Sequence, residues 1–150
     1  MNFTPPTQSI EETKADLVKR FTHFENPKDR YKYLIDMGKA LPALPVQDRT
    51  EETRVKGCVS QVWLTYEVDT SDPEDPVIRF RGDSDAHIVR GLVAIMLSAY
   101  SGKRAAEIIR LDENEIFARL GLIENLTPQR ANGLRAMVKR IKQEATKVAA

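Results

Sequence analysis

Cys58, the one cysteine in the chain, is the residue best suited to carry chemistry. It directly follows Gly57 and precedes an apolar stretch that contains the one tryptophan, Trp63. Glycine tolerates a positive φ, so the thiol is expected at the tip of a turn that a strand anchors. A thiol presented in this way can act as a nucleophile, although free cysteines are also common as small buried hydrophobes. The residues alone leave both interpretations open.

Four further polar side chains are candidates for a site around the thiol. Asp83 and Asp85 could lie near the thiol or at a partner surface, or they could cap the helix that follows them. Arg130 stands near a helix start, where the helix dipole disfavours a cation, so it could bind an anion, a partner carboxylate or an intramolecular acid. Gln61 could brace the cysteine loop through its amide or face solvent.

The same inventory argues against a metal or nucleotide cofactor. One cysteine excludes an internal disulfide and a cysteine-rich zinc or iron–sulfur cage within one chain. His23 lies among phenylalanines and is expected to pack, whereas His87 could join a polar network with the two aspartates. The chain has no P-loop and no dinucleotide-binding glycine pattern. We therefore expect no bound cofactor.

Length and composition indicate an ordinary globular domain. The 150 residues suffice for a single domain with one core, and 41% of them are hydrophobic and 30% charged. The net charge of +1 gives no reason to expect nucleic acid or a membrane surface as a partner. Residues 1–8 are expected to be a disordered lead-in, and the absence of a signal-peptide core there favours a cytoplasmic protein with a reduced thiol.

Two helices are predicted before the cysteine. The first covers residues 10–24, with Ser9 as its N-cap and Glu12 completing a capping box. The second begins at Asn26 and Pro27, since asparagine caps well and proline is tolerated at the first helical position. Its inner face is expected to be Tyr31, Leu34 and Ile35, with Gly38 near its end.

The elements after the cysteine predict an α+β fold. Residues 61–68 and 77–80 are expected to be antiparallel strands joined by an acidic turn with two prolines. Residues 86–100 are apolar on more than one face, which predicts a central buried helix. A capping box at Asp112 and Glu115, with a stop at Gly121, predicts another helix. The last helix opens at Thr127-Pro128, and its expected core stripe is Leu134, Met137, Val138, Ile141 and Ala145.

Three stretches in this order resemble the SufE family, the sulfur-accepting partners of cysteine desulfurases. They are Gly57-Cys58-Val59-Ser60-Gln61-Val62-Trp63, Gly82-Asp83-Ser84-Asp85-Ala86, and Leu126-Thr127-Pro128-Gln129-Arg130 with Gly133-Leu134. The likeness extends from about residue 21 to residue 142 and includes Leu41-Pro42. One departure is the segment 101–106, where many family members carry a Thr-Pro helix opening, and this leaves the local helix geometry open.

The resemblance implies a SufE/IscU-like fold, a small antiparallel sheet packed against helices, and a persulfide carried on Cys58. It implies a PLP-dependent, SufS-like cysteine desulfurase as sulfur donor and a SufBCD-like iron–sulfur scaffold as recipient. The chain would then be an accessory sulfurtransferase-like protein, monomeric or homodimeric, rather than a stand-alone enzyme. The residues that would bind the partner or support the loop are Gly57, Gln61, Asp83, Asp85 and Arg130.

Three alternatives remain beside the carrier. A pure binding module would stimulate a desulfurase allosterically, with Cys58 structural. An iron–sulfur scaffold would need several ligands, whereas this chain has one cysteine. A cysteine hydrolase would need a positioned histidine, and neither His23 nor His87 has a sequence relation to Cys58 that favours one.

Overall fold

The computed structural model describes residues 10–58, 60–121 and 126–149. Six α-helices, one short 3-10 helix (Val46–Asp48) and three strands are found in these ranges, and they confirm the predicted α+β class. The expected lead-in over residues 1–8 and the Ser9 cap lie outside the described residues. The helices are α1 (Ile10–Thr22), α2 (Pro27–Ala40), α3 (His87–Tyr100), α4 (Ala105–Arg110), α5 (Glu113–Leu120) and α6 (Pro128–Ala149), and the strands are β1 (Val62–Asp69), β2 (Val77–Ser84) and β3 (Lys103–Arg104).

The sheet is antiparallel, with strand order β1-β2-β3. β1 and β2 form the predicted hairpin, in which Val62 lies opposite Ser84 and Asp69 lies opposite Val77. The acidic, proline-containing segment between the strands makes the turn. β2 runs to Ser84, four residues beyond the predicted end. Asp83 therefore lies within the hairpin, where successive side chains point to opposite faces of the sheet.

α3 is the central helix of the core, as its sequence predicts. Ten of its residues are buried, among them Ile88, Leu92, Ile95 and Tyr100. α2 lies against α3 at close range, because a Cβ on Gly38 would be 2.7 Å from the Gly91 amide nitrogen and one on Gly91 would clash with the Leu34 carbonyl oxygen. The pair of glycines thus permits direct backbone contact between the two helices.

The first two helices begin where the sequence predicts, but the end of α1 and the inner face of α2 differ from the prediction. α1 ends at Thr22, two residues before the predicted end, and the Thr22 hydroxyl donates to the Val18 carbonyl at 2.7 Å. The Asn26 side chain caps α2 by accepting from the Lys28 amide at 2.9 Å, as predicted. Leu34 is buried, but Tyr31 is 46% exposed, so its assignment to the inner face is wrong.

The region after α3 holds the elements that the sequence did not reveal. Gly102 has a φ of +75°, which turns the chain back so that β3 pairs with the outer edge of β2. α4 follows directly and buries Ala105 and Ile108. α5 begins after Asp112 and ends before Gly121, as expected, while the side chain of Glu115 lies outside the described residues.

α6 packs against α4 and α3. It begins after Thr127, whose hydroxyl accepts from the Arg130 amide at 3.3 Å. The predicted stripe is confirmed, since all five of its residues are buried: Leu134, Met137, Val138, Ile141 and Ala145. Among the described residues, no helix is long and apolar enough to cross a membrane.

Candidate functional site

Cys58 lies in a loop whose two ends are hydrogen-bonded to each other. The Val55 amide donates to the Val62 carbonyl at 2.8 Å, and the Leu64 amide donates to the Thr53 carbonyl at 2.8 Å. Gly57 has a φ of +93°, a conformation that other residues rarely adopt. The loop is therefore narrow at its base and turns sharply just before the cysteine, as the sequence predicts.

The thiol faces the first half of α6. Cys58 is half-buried, and its Sγ donates to the Gly133 carbonyl at 3.4 Å. Beside it lies a pocket of about 260 Å³. The wall of this pocket comes from the cysteine loop, α3 and α6, and its residues are Cys58, Ser60, Val89, Leu92, Thr127, Gln129, Arg130, Gly133 and Met137.

The surroundings of Cys58 favour the protonated thiol. Burial raises the pKa of the Cys58 thiol, and the positive charge of Arg54 opposes that rise as the smaller effect. The hydrogen bond to the Gly133 carbonyl is made only by the protonated form, because a thiolate has no hydrogen to donate. Both effects favour the protonated thiol, which is a weaker nucleophile than the thiolate.

Gln61 and Asp85 join the far end of the cysteine loop to the segment before α3. The Gln61 amide nitrogen donates to Asp85 Oδ1 at 3.1 Å, and the Asp85 amide donates to the Gln61 carbonyl at 3.3 Å. The Ser84 hydroxyl also donates to the Gln61 carbonyl, at 2.7 Å. The bracing runs through the main chain of Gln61. Its side chain is exposed, which agrees with the second of the two predicted alternatives, a side chain that faces solvent.

Asp83 does not face a partner surface. It is fully buried and accepts from the Leu44 amide at 2.9 Å and from Arg49 Nη2 at 2.9 Å. Arg90 Nη1 forms a further ion pair with it. Because Arg90 also donates to the Gly38 carbonyl at 3.2 Å, the network joins β2, α2 and α3. Asp83 is therefore a structural support, and the expectation of an exposed charge at a docking surface was wrong.

Neither aspartate caps α3 in the expected way. The N-cap position is Ala86, which makes no side-chain hydrogen bond to the helix. The Ser84 hydroxyl instead accepts from the Ala86 amide at 3.3 Å. Both carboxylates are engaged elsewhere, because Asp83 binds arginines and Asp85 binds the cysteine loop.

Arg130 is the predicted residue that the structure brings to the thiol pocket. It lines the same cavity as Cys58, together with Thr127 and Gln129 from the start of α6. The unpaired N–H groups at the N-terminus of a helix carry a partial positive charge that attracts anions. Arg130 adds a full positive charge at this end of α6. The pocket thus combines a basic end with the apolar side chains of Val89 and Leu92.

The sequence analysis did not assign several residues to the site that the structure places there. Met137 and Gly133 line the pocket, and Arg54 acts on the thiol. The signal for the first two was present, since Gln129, Gly133 and Met137 recur every four residues and share one face of a helix. Residue spacing alone does not place Gly133 beside Cys58, because 75 residues separate them.

Neither histidine joins the site. His23 is exposed and contacts the Phe24 ring at 5.3 Å, and His87 is exposed at the start of α3. Neither one lines the Cys58 pocket, so neither is placed as the base that a cysteine hydrolase requires. In the part of the chain that the structure describes, no three His, Cys, Asp or Glu side chains come together as a metal site requires.

Comparisons with known proteins agree on one family. The model of the SufE family, described as an Fe-S metabolism associated domain, matches residues 15–145. An uncharacterized SufE-like protein of Rhizobium etli is 57% identical over 129 residues, which cover 86% of each chain. A second, from Rhizobium meliloti, is 55% identical over 129 residues, covering 86% of this chain and 91% of that protein.

A solved structure supports the fold. The solution structure of a hypothetical protein from Thermus thermophilus matches with a TM-score of 0.72, covering 91% of this chain and 95% of that one at 18% identity. At that identity the match speaks for the fold alone. The sequence match over residues 15–145 and the two relatives above 50% identity carry the assignment. The chain belongs to the SufE family, whose domain is associated with iron–sulfur metabolism.

Proposed function

We propose that this protein accepts a sulfur atom on Cys58 from a PLP-dependent, SufS-like cysteine desulfurase. It then passes the sulfur to a SufBCD-like scaffold that assembles iron–sulfur clusters. The observation that carries the proposal is the placement of one half-buried thiol beside a cavity with a basic end. Membership of a family associated with iron–sulfur metabolism supports the same reading.

The transfer needs only one thiolate and one donor persulfide. The Cys58 thiolate attacks the outer sulfur of the donor's persulfide, and a new S–S bond forms as the donor's S–S bond breaks. The donor cysteine leaves as a thiolate with the electron pair of the broken bond, so the step requires no external oxidant or reductant. Delivery to the scaffold is the same exchange, with Cys58 as the leaving thiolate.

The pocket suits the persulfide that this step would form. Its volume of about 260 Å³ is several times the ~30 Å³ that one water occupies in the liquid. The apolar side chains of Val89, Leu92 and Met137 would exclude water and stray thiols from the outer sulfur. Arg130 and the start of α6 would stabilise a terminal sulfur anion at the other end.

The raised pKa of the Cys58 thiol fits a carrier that acts only with a partner. A protonated thiol reacts slowly with persulfides and oxidants, because the thiolate is the nucleophile. Docking of a desulfurase would draw the thiol away from the Gly133 carbonyl and from its buried surroundings. That movement removes the main cause of the raised pKa and so increases the thiolate fraction.

The rest of the proposal follows from the same site. The reaction calls for no metal, nucleotide or organic cofactor on this chain, which acts as an accessory to the desulfurase, as a monomer or a homodimer. A carrier thiol must stay reduced between transfers, so we place the protein in the cytoplasm. The net charge of +1 gives nucleic acid no reason to bind.

A second candidate is a binding module that activates a desulfurase without accepting sulfur. The observation that favours it is the contact of Cys58 with the Gly133 carbonyl, since a thiol with a packing partner could be structural. In that case the loop around Cys58 would still dock to the desulfurase, but its sulfur would stay unmodified.

Mass spectrometry after incubation with a desulfurase and cysteine separates the two. We expect the wild type to gain the mass of one sulfur atom on the peptide that contains Cys58, and dithiothreitol to remove it. Cys58→Ser should fold and bind the desulfurase but gain no sulfur and fail to raise turnover. A folded Cys58→Ser protein that stimulates the desulfurase as well as the wild type does would exclude the carrier and favour the binding module.

A further inference from the structure

Arg140, in the C-terminal half of α6, contacts the base of the cysteine loop, the segment before Cys58 that pairs with the start of β1. Its Nη2 donates to the Glu52 carbonyl at 2.7 Å and its Nη1 to the Arg54 carbonyl at 3.2 Å. Its Nε donates to Glu144 Oε1 at 3.1 Å, one helical turn further on. All three nitrogens of the guanidinium are thus used, and two of them bind the main chain just before the cysteine.

Glu144 fixes the direction of that guanidinium. Its side chain is only 8% exposed, and Lys147 Nζ lies 3.7 Å from the same carboxylate oxygen. A hydrogen bond with Glu144 is also the main cause that raises the pKa of the Tyr66 phenol on β1. A buried carboxylate is costly without partners, so Glu144 holds Arg140 where its fork meets the loop base.

The carbonyls that Arg140 binds belong to the paired base of the loop. The main chain of Arg54 forms an isolated antiparallel β-bridge with that of Trp63, and the Val55 amide donates to the Val62 carbonyl. A rigid base defines where the tip of the loop lies, and the tip carries Cys58.

The same helix meets the loop at a second point. The Gly133 carbonyl accepts from the Cys58 thiol seven residues before Arg140, or ~10 Å along the helix axis at 1.5 Å per residue. The two attachments differ in strength, because charged donors make the bonds at the base and a weak sulfur donor makes the bond at the tip. The base is therefore the firm attachment, and the thiol contact depends on it.

We propose that Arg140, oriented by Glu144, is the positioning residue for Cys58. It attaches the base of the cysteine loop to α6 and thereby keeps the thiol against the pocket while no partner is bound. Its use to the molecule rests on the proposed function, since a carrier must expose its thiol to a partner and protect it otherwise. Its test needs no desulfurase.

The test is the rate at which iodoacetamide alkylates Cys58 in the folded protein, measured across pH. Arg140→Met keeps much of the aliphatic stem and removes the three donors. We expect the rate at the alkaline plateau to rise about 5–10-fold, since the thiol leaves its half-buried position more often. The midpoint of the pH profile should fall toward the ~8.5 of an ordinary cysteine, because burial is the main cause of its elevation.

Lys147→Met is the matched control. It removes a second cation from the same carboxylate, at 3.7 Å, but among the described residues Lys147 makes no hydrogen bond to the loop base. Its alkylation rate and midpoint should stay within about twofold of the wild type. Arg140→Lys, which retains the charge but not the fork, should fall between the wild type and Arg140→Met.

A general loss of stability would not reproduce this pattern. Ile78→Val lowers the stability of the core near the turn of the hairpin, at the end away from the cysteine loop. Alkylation in Ile78→Val should match the wild type, and if it instead rises with falling thermal midpoint as in Arg140→Met, the positioning role is excluded. Should Arg140→Met fail to fold, Glu144→Gln replaces it in the test, and its plateau rate of Cys58 alkylation should rise about 2–3-fold.

The proposal is overturned if folded Arg140→Met, or folded Glu144→Gln where the first variant does not fold, shows an unchanged plateau rate and midpoint. That outcome is distinct from a failure of the proposed function. Sulfur loading of the wild type by a desulfurase tests the carrier, whereas alkylation tests the attachment of the loop. A chain that never gains sulfur but whose thiol is released in Arg140→Met would keep the positioning role and lose the carrier.

Discussion

The Asp83 carboxylate accepts from four donors, namely the Leu44 and Ser84 amides, Arg49 and Arg90, whereas the Cys58 thiol makes one hydrogen bond, of 3.4 Å. The carboxylate is fully buried and the thiol is half-buried beside a cavity. The first group cannot move without losing several charge-assisted bonds at once. The second can move at the cost of one weak hydrogen bond and of its partly buried contacts with the core.

The difference separates a residue that supports the fold from the residue proposed to carry sulfur. Asp83 joins β2 to the ends of α2 and α3 through Arg90, and Arg49 stacks over the Trp63 ring at 5.2 Å. These contacts fix the hairpin on which the loop is mounted. Two residues further on, Asp85 holds only the main chain of Gln61 and remains exposed. The rigid part of the molecule thus ends where the cysteine loop is attached.

The largest expected effect is on stability and comes from Asp83. Asp83→Asn keeps the shape and an acceptor oxygen but leaves Arg49 and Arg90 without their carboxylate. Removing one partner from a buried ion pair costs ~3–5 kcal/mol, and at ~2–4 °C per kcal/mol for a chain of this size the thermal midpoint should fall by about 10 °C. Thermal unfolding followed by circular dichroism measures it.

Asp85→Asn is the control for that change, since it removes the same charge from an exposed position in the same motif. Its midpoint should change by less than the equivalent of ~0.5 kcal/mol. If both variants lose little stability, the buried network does not support the hairpin, and the contrast between Asp83 and Cys58 disappears.

The second largest effect is expected on sulfur loading, from Arg130→Ala. The loss of a charge-assisted bond of ~1.5–3 kcal/mol should reduce the equilibrium amount of persulfide on Cys58 about tenfold or more. Stability should change little, because Arg130 lies near the solvent-facing start of α6. Mass spectrometry at fixed donor concentration gives the loaded fraction.

Arg135→Ala serves as its control, because Arg135 is an exposed cation on the same helix and does not line the pocket. Equal loading of the Arg130 and Arg135 variants would remove Arg130 from the site. A large drop in the midpoint of Arg130→Ala alone would assign it to the support of the fold.

The parts of this contrast that the sequence predicted are the local ones. The Gly57 turn, the α6 stripe and the Asn26 cap follow from preferences of neighbouring residues. The partners of Asp83 do not, because Leu44 and Arg49 lie 39 and 34 residues away in the chain. An acidic motif before a helix predicts a helix cap from local sequence alone. In the fold, Arg49 and Arg90 bind the Asp83 carboxylate instead.

The elements around β3 illustrate a different limit. Lys103 and Arg104 have no strand pattern of their own, and they pair with β2 because Gly102 turns the chain and the edge of β2 is open. α4 has six residues, too few to show a helical period. Tertiary contacts determine both, which is why the sequence left this region open.

Gly133→Ala is expected to move stability and sulfur loading in opposite directions. A Cβ at this position would lie 3.5 Å from the Cys58 Sγ, an ordinary contact that causes no clash. Replacing a glycine inside a helix should then stabilise the fold by ~0.5–1 kcal/mol. The added methyl also occupies the side of the pocket next to the thiol, so loading should fall about 2–5-fold.

Chemical denaturation and the loading assay on the same preparation measure the two effects of Gly133→Ala. A variant that is both less stable and unchanged in loading would show that the space beside the thiol is not used. Ala136→Gly, on the same helix, should lower stability and leave sulfur loading unchanged.

The smallest expected effect concerns the pKa of the thiol and comes from Arg54→Met. Arg54 is the one group whose charge opposes the rise in the Cys58 pKa, so its loss should shift the midpoint of the alkylation profile to higher pH. Alkylation near neutral pH should slow about 2–3-fold while the alkaline plateau stays the same. The Arg54 carbonyl, and with it the bond from Arg140, is retained in this variant.

Lys56→Met separates this effect from a general loss of positive charge. Lys56 is closer to the cysteine in sequence and pairs with the same Glu51 carboxylate, at 3.1 Å against 3.7 Å for Arg54. Only the Arg54 variant should shift the midpoint. An equal shift in both would mean that net charge, and not the position of Arg54, acts on the thiol.

The same raised pKa has a consequence for stability, whose sign can be worked out. The folded state binds the thiol proton more tightly than the unfolded state, so this contribution is fully present below the unfolded pKa of ~8.5 and is lost as the pH rises through the folded value. The wild type should therefore lose more stability than Cys58→Ser between about pH 8 and pH 10, and Arg54→Met should lose the most. Parallel unfolding curves for all three across that window would show that the thiol is no more protected in the folded protein than in the unfolded chain.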